Sequence, residues 1–283
     1  MTSGPSSLAT APVTATATAD QPVVRLEHVS LAFDDKVILK DVTFDLMPGH
    51  TKLILGASGS GKSTILKLIL GLLRPDAGAV WVNGERVDQL PEAELLRVRA
   101  DLGMVFQEGA LFDSLSVAEN VGYKLYEETD LPLDQIRSRV EEVLGFVGLR
   151  DFIDRKPSAL SGGQRRRVAI ARAMAAKPRI LLYDEATTGL DPITATTIDE
   201  EIVKLRDLEG VSSIIVTHQL RDAFFVADHE AIRDQSGFRI ARADAAKADE
   251  AEFIMLRDGM IAFEGNAAEL RASQDAYIRE FLS

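Results

Sequence analysis

The string Gly56-Ala57-Ser58-Gly59-Ser60-Gly61-Lys62-Ser63 has the form G-x-x-x-x-G-K-[ST], and it leaves few folds open. A loop of this kind binds phosphate only when a strand delivers the chain to it and a helix leads the chain away. The sequence supplies both. Thr51-Lys52-Leu53-Ile54-Leu55 is a short strand candidate, and from Thr64 to Leu73 apolar residues fall at helical spacing. Backbone N–H groups of the glycine turn and the open helix N-terminus would present partial positive charge to phosphate oxygens. Lys62 would reach the β and γ phosphates, and the Ser63 hydroxyl would ligate Mg2+.

Two further strand ends carry polar groups. Arg179-Ile180-Leu181-Leu182-Tyr183 is apolar without alternation, as in a parallel strand covered on both faces, and Asp184-Glu185 closes it. Ligands of open α/β sheets bind at the carboxyl ends of strands, so Asp184 is placed to join a Mg2+ shell and Glu185 to polarise a water. Alone, such an acid pair reads rather as a plain turn. Ser213-Ile214-Ile215-Val216-Thr217 ends the same way in His218, which by position could reach a γ-phosphate; His28, His50 and His229 read as structural.

Leu160-Ser161-Gly162-Gly163-Gln164 precedes a helical stretch from Arg165 to Ala176 that Lys177-Pro178 would end. Ser161 can cap this helix, and the two glycines let a ligand approach its bare N–H groups, a second anion site in the same chain. With these motifs, residues from about 23 to 230 resemble an ATP-binding cassette (ABC) subunit. The resemblance implies an α/β P-loop NTPase cassette with a RecA-like core, an antiparallel β subdomain and an α-helical subdomain. It also implies a head-to-tail dimer with a second copy, in which the signature of one subunit (Ser161, Gly162, Gly163, Gln164) closes over ATP held by the phosphate loop of the other.

Other positions take roles only through that resemblance. Phe33 occupies the place of the aromatic that stacks on adenine, while as a lone residue it reads equally as a core aromatic at a strand edge. Gln107, after Gly103-Met104-Val105-Phe106, matches the glutamine that touches Mg2+ or the attacking water. Asp191 belongs to a stretch, Ala186 to Pro192, resembling the loop that contacts the other subunit; Ala186 stands where proline is usual, a departure expected to alter loop rigidity. The implied site is therefore Lys62, Gln107, Glu185 and His218 for catalysis. Ser63, Gln107 and Asp184 would hold Mg2+, and the nucleotide contacts would be Phe33, Gly56, Ala57, Ser58, Gly59, Ser60, Gly61, Lys62, Ser63, Thr64, Gln107, Asp191 and the signature.

Composition removes other classes. The 283 residues carry a formal net charge of −12 and no cysteine. An acidic chain lacks the basic face that a nucleic-acid backbone requires, and the Arg165-Arg166-Arg167 run reads as a solvated helix face. Without cysteine there is no disulfide framework or thiolate metal site. No stretch approaches the ~18 apolar residues of a membrane-spanning helix. Residues 1–22, rich in Ala, Thr and Ser, have neither a basic start nor an apolar core and read as a disordered segment rather than a signal peptide.

The remainder, 23–283, is expected to form one ABC domain. Val23 to about Asp88 reads as an antiparallel β region with turns at Asp34-Asp35, Pro48-Gly49 and Asn83-Gly84, and residues 108–160, where amphipathic segments dominate, are by resemblance the helical subdomain. By resemblance that subdomain would meet a membrane partner near Gly109-Ala110-Leu111-Phe112. Residues 229–252 intervene where the family passes directly to a last hairpin, and read as an extra hairpin and charged connector.

The stretches Thr187–Ala195 and Val216–Phe224 resemble ATPases of Mla or MCE-type phospholipid transporters. That implies multi-span permease subunits, an MCE-domain substrate-binding protein and a peripheral place on the cytoplasmic side of the inner (plasma) membrane. A polar amino-acid importer and a soluble ABC ATPase outside transport are the alternatives.

Overall fold

The computed structural model describes residues 21–234 and 237–283. The segment expected to be disordered lies, up to residue 20, outside the described residues, as do Gln235 and Ser236. Strands β1 (Val24–Phe33) and β2 (Lys36–Leu46) form a hairpin with alternating burial, turned at Asp34-Asp35. Strand β3 (Thr51–Gly56) is buried at every residue and runs through the glycine loop into helix α1 (Lys62–Ile69). Strands β4 (Ala77–Val82) and β5 (Glu85–Arg86) complete an antiparallel sheet in the order β2-β1-β4-β5.

Helix α2 (Glu92–Ala100) and strand β6 (Leu102–Val105) lead to a helical layer of α3 (Val117–Glu128), α4 (Leu133–Phe146) and α5 (Gly162–Ala175). Strand β7 (Ile180–Asp184), helix α6 (Pro192–Glu209), strand β8 (Ser212–Val216) and helix α7 (Leu220–Asp228) follow. A hairpin, β9 (His229–Asp234) and β10 (Gly237–Arg242), then precedes the short helix α8 (Ala245–Ala248). Strands β11 (Ala251–Arg257) and β12 (Met260–Asn266) and helices α9 (Ala267–Ala272) and α10 (Ala276–Leu282) end the chain.

The second sheet has the order β12-β11-β3-β8-β7-β6, parallel except for β12. Its strands face two cores, and successive residues alternate between them. Leu53, Leu55, Leu181, Tyr183, Phe253 and Met255 pack with the helices, while Ile54, Ile180, Leu182, Ile254 and Leu256 pack with α1 and the antiparallel sheet. This two-sided cover explains the unbroken apolar runs, because neither face of the sheet meets water.

The sequence reading of an antiparallel region up to Asp88 holds for β1, β2, β4 and β5 but not for β3, which pairs in parallel with β8 and β11. Helix α1 also stops before the expected Leu73. Gly71 turns the chain there at φ 64°, and a Cβ on it would lie 2.6 Å from Leu95.

Candidate functional site

Parallel pairing brings the carboxyl ends of β3, β7 and β8 to one edge, and there the phosphate loop meets the strand-end acids. Ser63 Oγ donates to Asp184 Oδ1 at 2.8 Å, joining the first turn of α1 to the end of β7. Lys62 is 5% exposed, and its Nζ donates to the carbonyls of Gly56 and Ala57 at 2.9 and 3.0 Å. Burial lowers its pKa, and the negative charges of Glu185 and Asp184 oppose that shift. Gly56, at φ 151°, admits no side chain, since a Cβ would stand 2.7 Å from both the Leu256 carbonyl and Ser60 Oγ. Among the described residues Ser60 Oγ is itself buried without a hydrogen-bond partner.

Glu185 lies just past β7 in the left-handed region, at φ 50°. Such a conformation costs a non-glycine residue of order 1 kcal/mol and persists only when surroundings fix it. Here they do. Its backbone N–H donates to the Val216 carbonyl at 2.9 Å, its Oε1 lies 3.1 Å from His218 Nδ1, and its Oε2 accepts from Thr188 Oγ1 at 3.2 Å. Gln107 is exposed two residues beyond β6, whose Val105 is the register partner of Tyr183 in β7. Phe33, at the end of β1, is 48% exposed, so the alternative of a core aromatic is excluded.

The signature stands at the start of α5. Ser161 and Gln164 form a capping box, with Ser161 N–H donating to Gln164 Oε1 at 2.9 Å and Gln164 N–H to Ser161 Oγ at 3.3 Å. Such caps contribute about 1 kcal/mol to the helix. Its two glycines differ in purpose. A Cβ on Gly163 would lie 2.2 Å from Thr194 Cγ2 in α6, so this glycine lets the two helices approach, whereas Gly162 would meet only Leu190 at 3.4 Å. Among the described residues no hydrogen bond joins the signature to the phosphate loop of the same chain. Asp191 caps α6, accepting from the N–H groups of Ile193 and Thr194 and from Thr194 Oγ1 at 2.6 Å; the Thr194 hydrogen bonds hold its carboxyl below the usual range.

The arginine run corrects the sequence reading of a solvated helix face. Arg166 is 7% exposed, and its guanidinium donates to the carbonyls of Ala186 at 3.0 Å and Thr188 at 3.2 Å. Arg165 and Arg167 donate to the carbonyls of Leu160 and Val147. Arg166 and Thr188 therefore belong to the surroundings of Glu185 and escaped the sequence reading. The available signal was spacing: Gly163, Arg166 and Ile170 fall on one face of α5, and all three are buried.

Residues 39–188 match the sequence profile of the family described as ABC transporter. The intermembrane phospholipid transport ATP-binding protein MlaF of Escherichia coli is 34% identical over 260 residues, 92% of this chain and 88% of that protein. The methionine import ATP-binding protein MetN of Carboxydothermus hydrogenoformans is 43% identical over 215 residues, 75% of this chain and 64% of that protein. Among solved structures, the ATP-binding cassette MJ0796, dimeric in a post-hydrolysis state with ADP and Pi, superposes with a TM-score of 0.71 at 33% identity, covering 86% of this chain and 98% of that one.

Proposed function

Because the chain belongs to the ABC transporter family, we propose that it hydrolyses MgATP in a head-to-tail pair with a second copy, driving lipid movement by membrane partners. The observation that carries the ATPase reading is the meeting of three motifs at one sheet edge: Lys62 in its loop, Ser63 on Asp184, and Glu185 between Thr188 and His218.

Gly56 to Thr64 would cradle the phosphates through backbone N–H groups and the α1 N-terminus, with Lys62 supplying positive charge. Ser60 Oγ, buried without a hydrogen-bond partner among the described residues, is a hydroxyl that a phosphate oxygen in the loop would satisfy. Ser63 and Asp184 offer a hydroxyl and a carboxylate, the hard oxygen donors Mg2+ takes, and Gln107 could add a third. When bound, Mg2+ would neutralise phosphate charge during transfer. Glu185 keeps lone pairs with which to accept from a water, and His218 and Thr188 fix the direction in which it does so. Asp191 and the 82%-exposed Ile193 beside it would face the second copy, whose Ser161, Gly162, Gly163 and Gln164 would close the site. Phe33 has the exposure a stacking residue needs.

Phospholipid is the substrate class we favour, because the similarity to MlaF runs through 92% of this chain, well beyond the residues matched by the family profile. Amino-acid import is the second reading, favoured by the higher identity to MetN over a shorter stretch. Among the described residues no helix is long and apolar enough to cross a membrane. In the lipid reading multi-span permease subunits form the path, an MCE-domain protein handles the lipid, and this chain sits peripherally on the cytoplasmic side of the inner membrane. Affinity purification of the tagged chain from detergent-solubilised membranes tests this. Recovery with a multi-span permease and an MCE-domain protein supports lipid transport; a permease with a soluble amino-acid-binding protein supports import. Recovery without any membrane partner overturns both.

A further inference from the structure

Two buried carboxyls lie on the packed helices α6 and α7. Asp199 in α6 is 2% exposed and Asp222 in α7 is 3% exposed. Among the described residues Oδ2 of each is buried without a hydrogen-bond partner, α6 packs on α7, and Asp222 acts on Asp199 through its charge and a side-chain hydrogen bond. Two carboxylate oxygens cannot bond to each other when both are ionised, and each left unpaired in the interior is costly. One proton between them satisfies both atoms. The other side of Asp222 is occupied, since Arg221 Nε donates to its Oδ1 at 2.8 Å. Arg221 also donates to the Pro192 carbonyl at 3.1 Å, next to Asp191 and the start of α6. Its neighbour three residues earlier in the chain is His218.

We propose that Asp199 and Asp222 form a clasp around one shared proton that fixes the start of α7 against α6, so that His218 is held in register with Glu185 and with the Asp191 turn. Asp199 and Asp222 are positioning residues in this arrangement, and the proposal rests on the reading of Glu185 and His218 given above. Burial, and then the negative charge of Asp222, raises Asp199 to about 8, with Arg221 acting against the shift and Glu200 weakly with it. Those are the charged groups acting on the carboxyl, Asp222 and Arg221 from α7 and Glu200 from its own helix. Above that range the proton leaves, and two like charges confront each other in the interior.

Asp199→Asn places a permanent amide donor against Asp222 and tests the clasp in the full-length chain. In the parent, kcat for ATP is expected to fall about three-fold or more between about pH 7 and about pH 9, and the same ratio in the variant to stay within about two-fold. Lys62 is intact in both proteins, so its titration cancels in the comparison. A second readout needs no nucleotide. A proton held in the folded state and lost in the unfolded one stabilises less as pH rises, so the Tm of the parent relative to the variant should fall between about pH 5 and about pH 8 and level off above.

Equal kcat ratios in parent and variant overturn the positioning role, even if the Tm comparison shows the clasp. Parallel Tm curves overturn the clasp itself. Should Glu185→Gln hydrolyse ATP normally, the reading of the reacting carboxylate fails while the Tm comparison still decides the clasp. If Asp199→Asn does not fold, Asp222→Asn supplies the donor from the opposite helix and is expected to flatten the same curves; its failure to do so overturns the proposal.

Discussion

Arg166 sits in the signature helix, yet both hydrogen bonds of its guanidinium end on the loop after Glu185. The buried Ala186 stands in that loop where the family resemblance expects a proline, and Arg166 ties the turn from outside through the carbonyls that flank Thr187. Arg166→Met keeps the buried stem but leaves two carbonyls unpaired, which should cost about 1–3 kcal/mol in thermal unfolding. It should lower kcat for ATP more than it changes KM, because Glu185 loses its fixed direction; a pure KM effect would contradict this account. Glu185→Gln should bind ATP, accumulate as a nucleotide-bound dimer and hydrolyse at least about 100-fold more slowly, as expected for loss of a base worth that factor. Turnover at the parent rate would remove Glu185 from that role. At this scale the phosphate loop was legible because its chemistry demands particular residue types at fixed spacing. Arg166 was not, because three consecutive arginines look solvated until the facing loop is known. Asp199 and Asp222 stayed hidden for a similar reason: each is an ordinary helix residue until two helices pack.

Helix α6 ends in a charged knot that anchors the hairpin following α7. Arg206, fully buried, donates to the carbonyls of Val226 and His229 and pairs with Asp207. Asp207 also accepts from the N–H of Ala231 in β9 and pairs with Lys247 of α8. Burial alone would raise the Asp207 pKa, but the Arg206 hydrogen bond and charge, with Ala231 and Lys247, leave it lowered. A carboxyl with a depressed folded pKa stabilises above its unfolded value and loses that contribution as pH falls through the folded one. The Tm advantage of the parent over Asp207→Asn should thus be full at neutral pH and shrink below about pH 4. A gap independent of pH would assign the loss to packing instead. The hairpin strands were legible as elements between turn residues. The order β12-β11-β3-β8-β7-β6 was not, since strand neighbours are set by how helices cross over the sheet rather than by any strand's own residues. The same knot means that removing residues 229–252 would strand Arg206 and Asp207, and would also take Glu252 from the buried Lys52 with which it pairs.

For the whole molecule it matters that, among the described residues, no hydrogen bond joins the signature to the phosphate loop of the same chain. If the working site is shared, Lys62→Ala and Ser161→Arg should each abolish hydrolysis as homodimers, one for want of the phosphate-binding lysine and the other for want of the capped helix start. Mixed together, they should recover activity that neither has alone, because a heterodimer contains one site with an intact loop and an intact opposing signature. Absence of recovery, with heterodimers demonstrated by differential tagging, would mean that each chain works alone or that both sites must be intact at once. The fold class was legible at this scale through the family resemblance that the phosphate loop and the signature carry, while β3 was misassigned to the antiparallel region because a single short apolar strand does not show its partners. The mutual arrangement of helical layer and sheet was not legible, as it depends on close contacts such as Gly163 against Thr194. The bridge made by Arg166 then takes on a second meaning. In a head-to-tail pair, the helix whose capped start would face the neighbour's nucleotide also grips the turn that carries this chain's own carboxylate. Arrival or departure of one nucleotide would be felt as a change of aim at the other, so the two halves would run as geared wheels, each advancing only as its fellow turns.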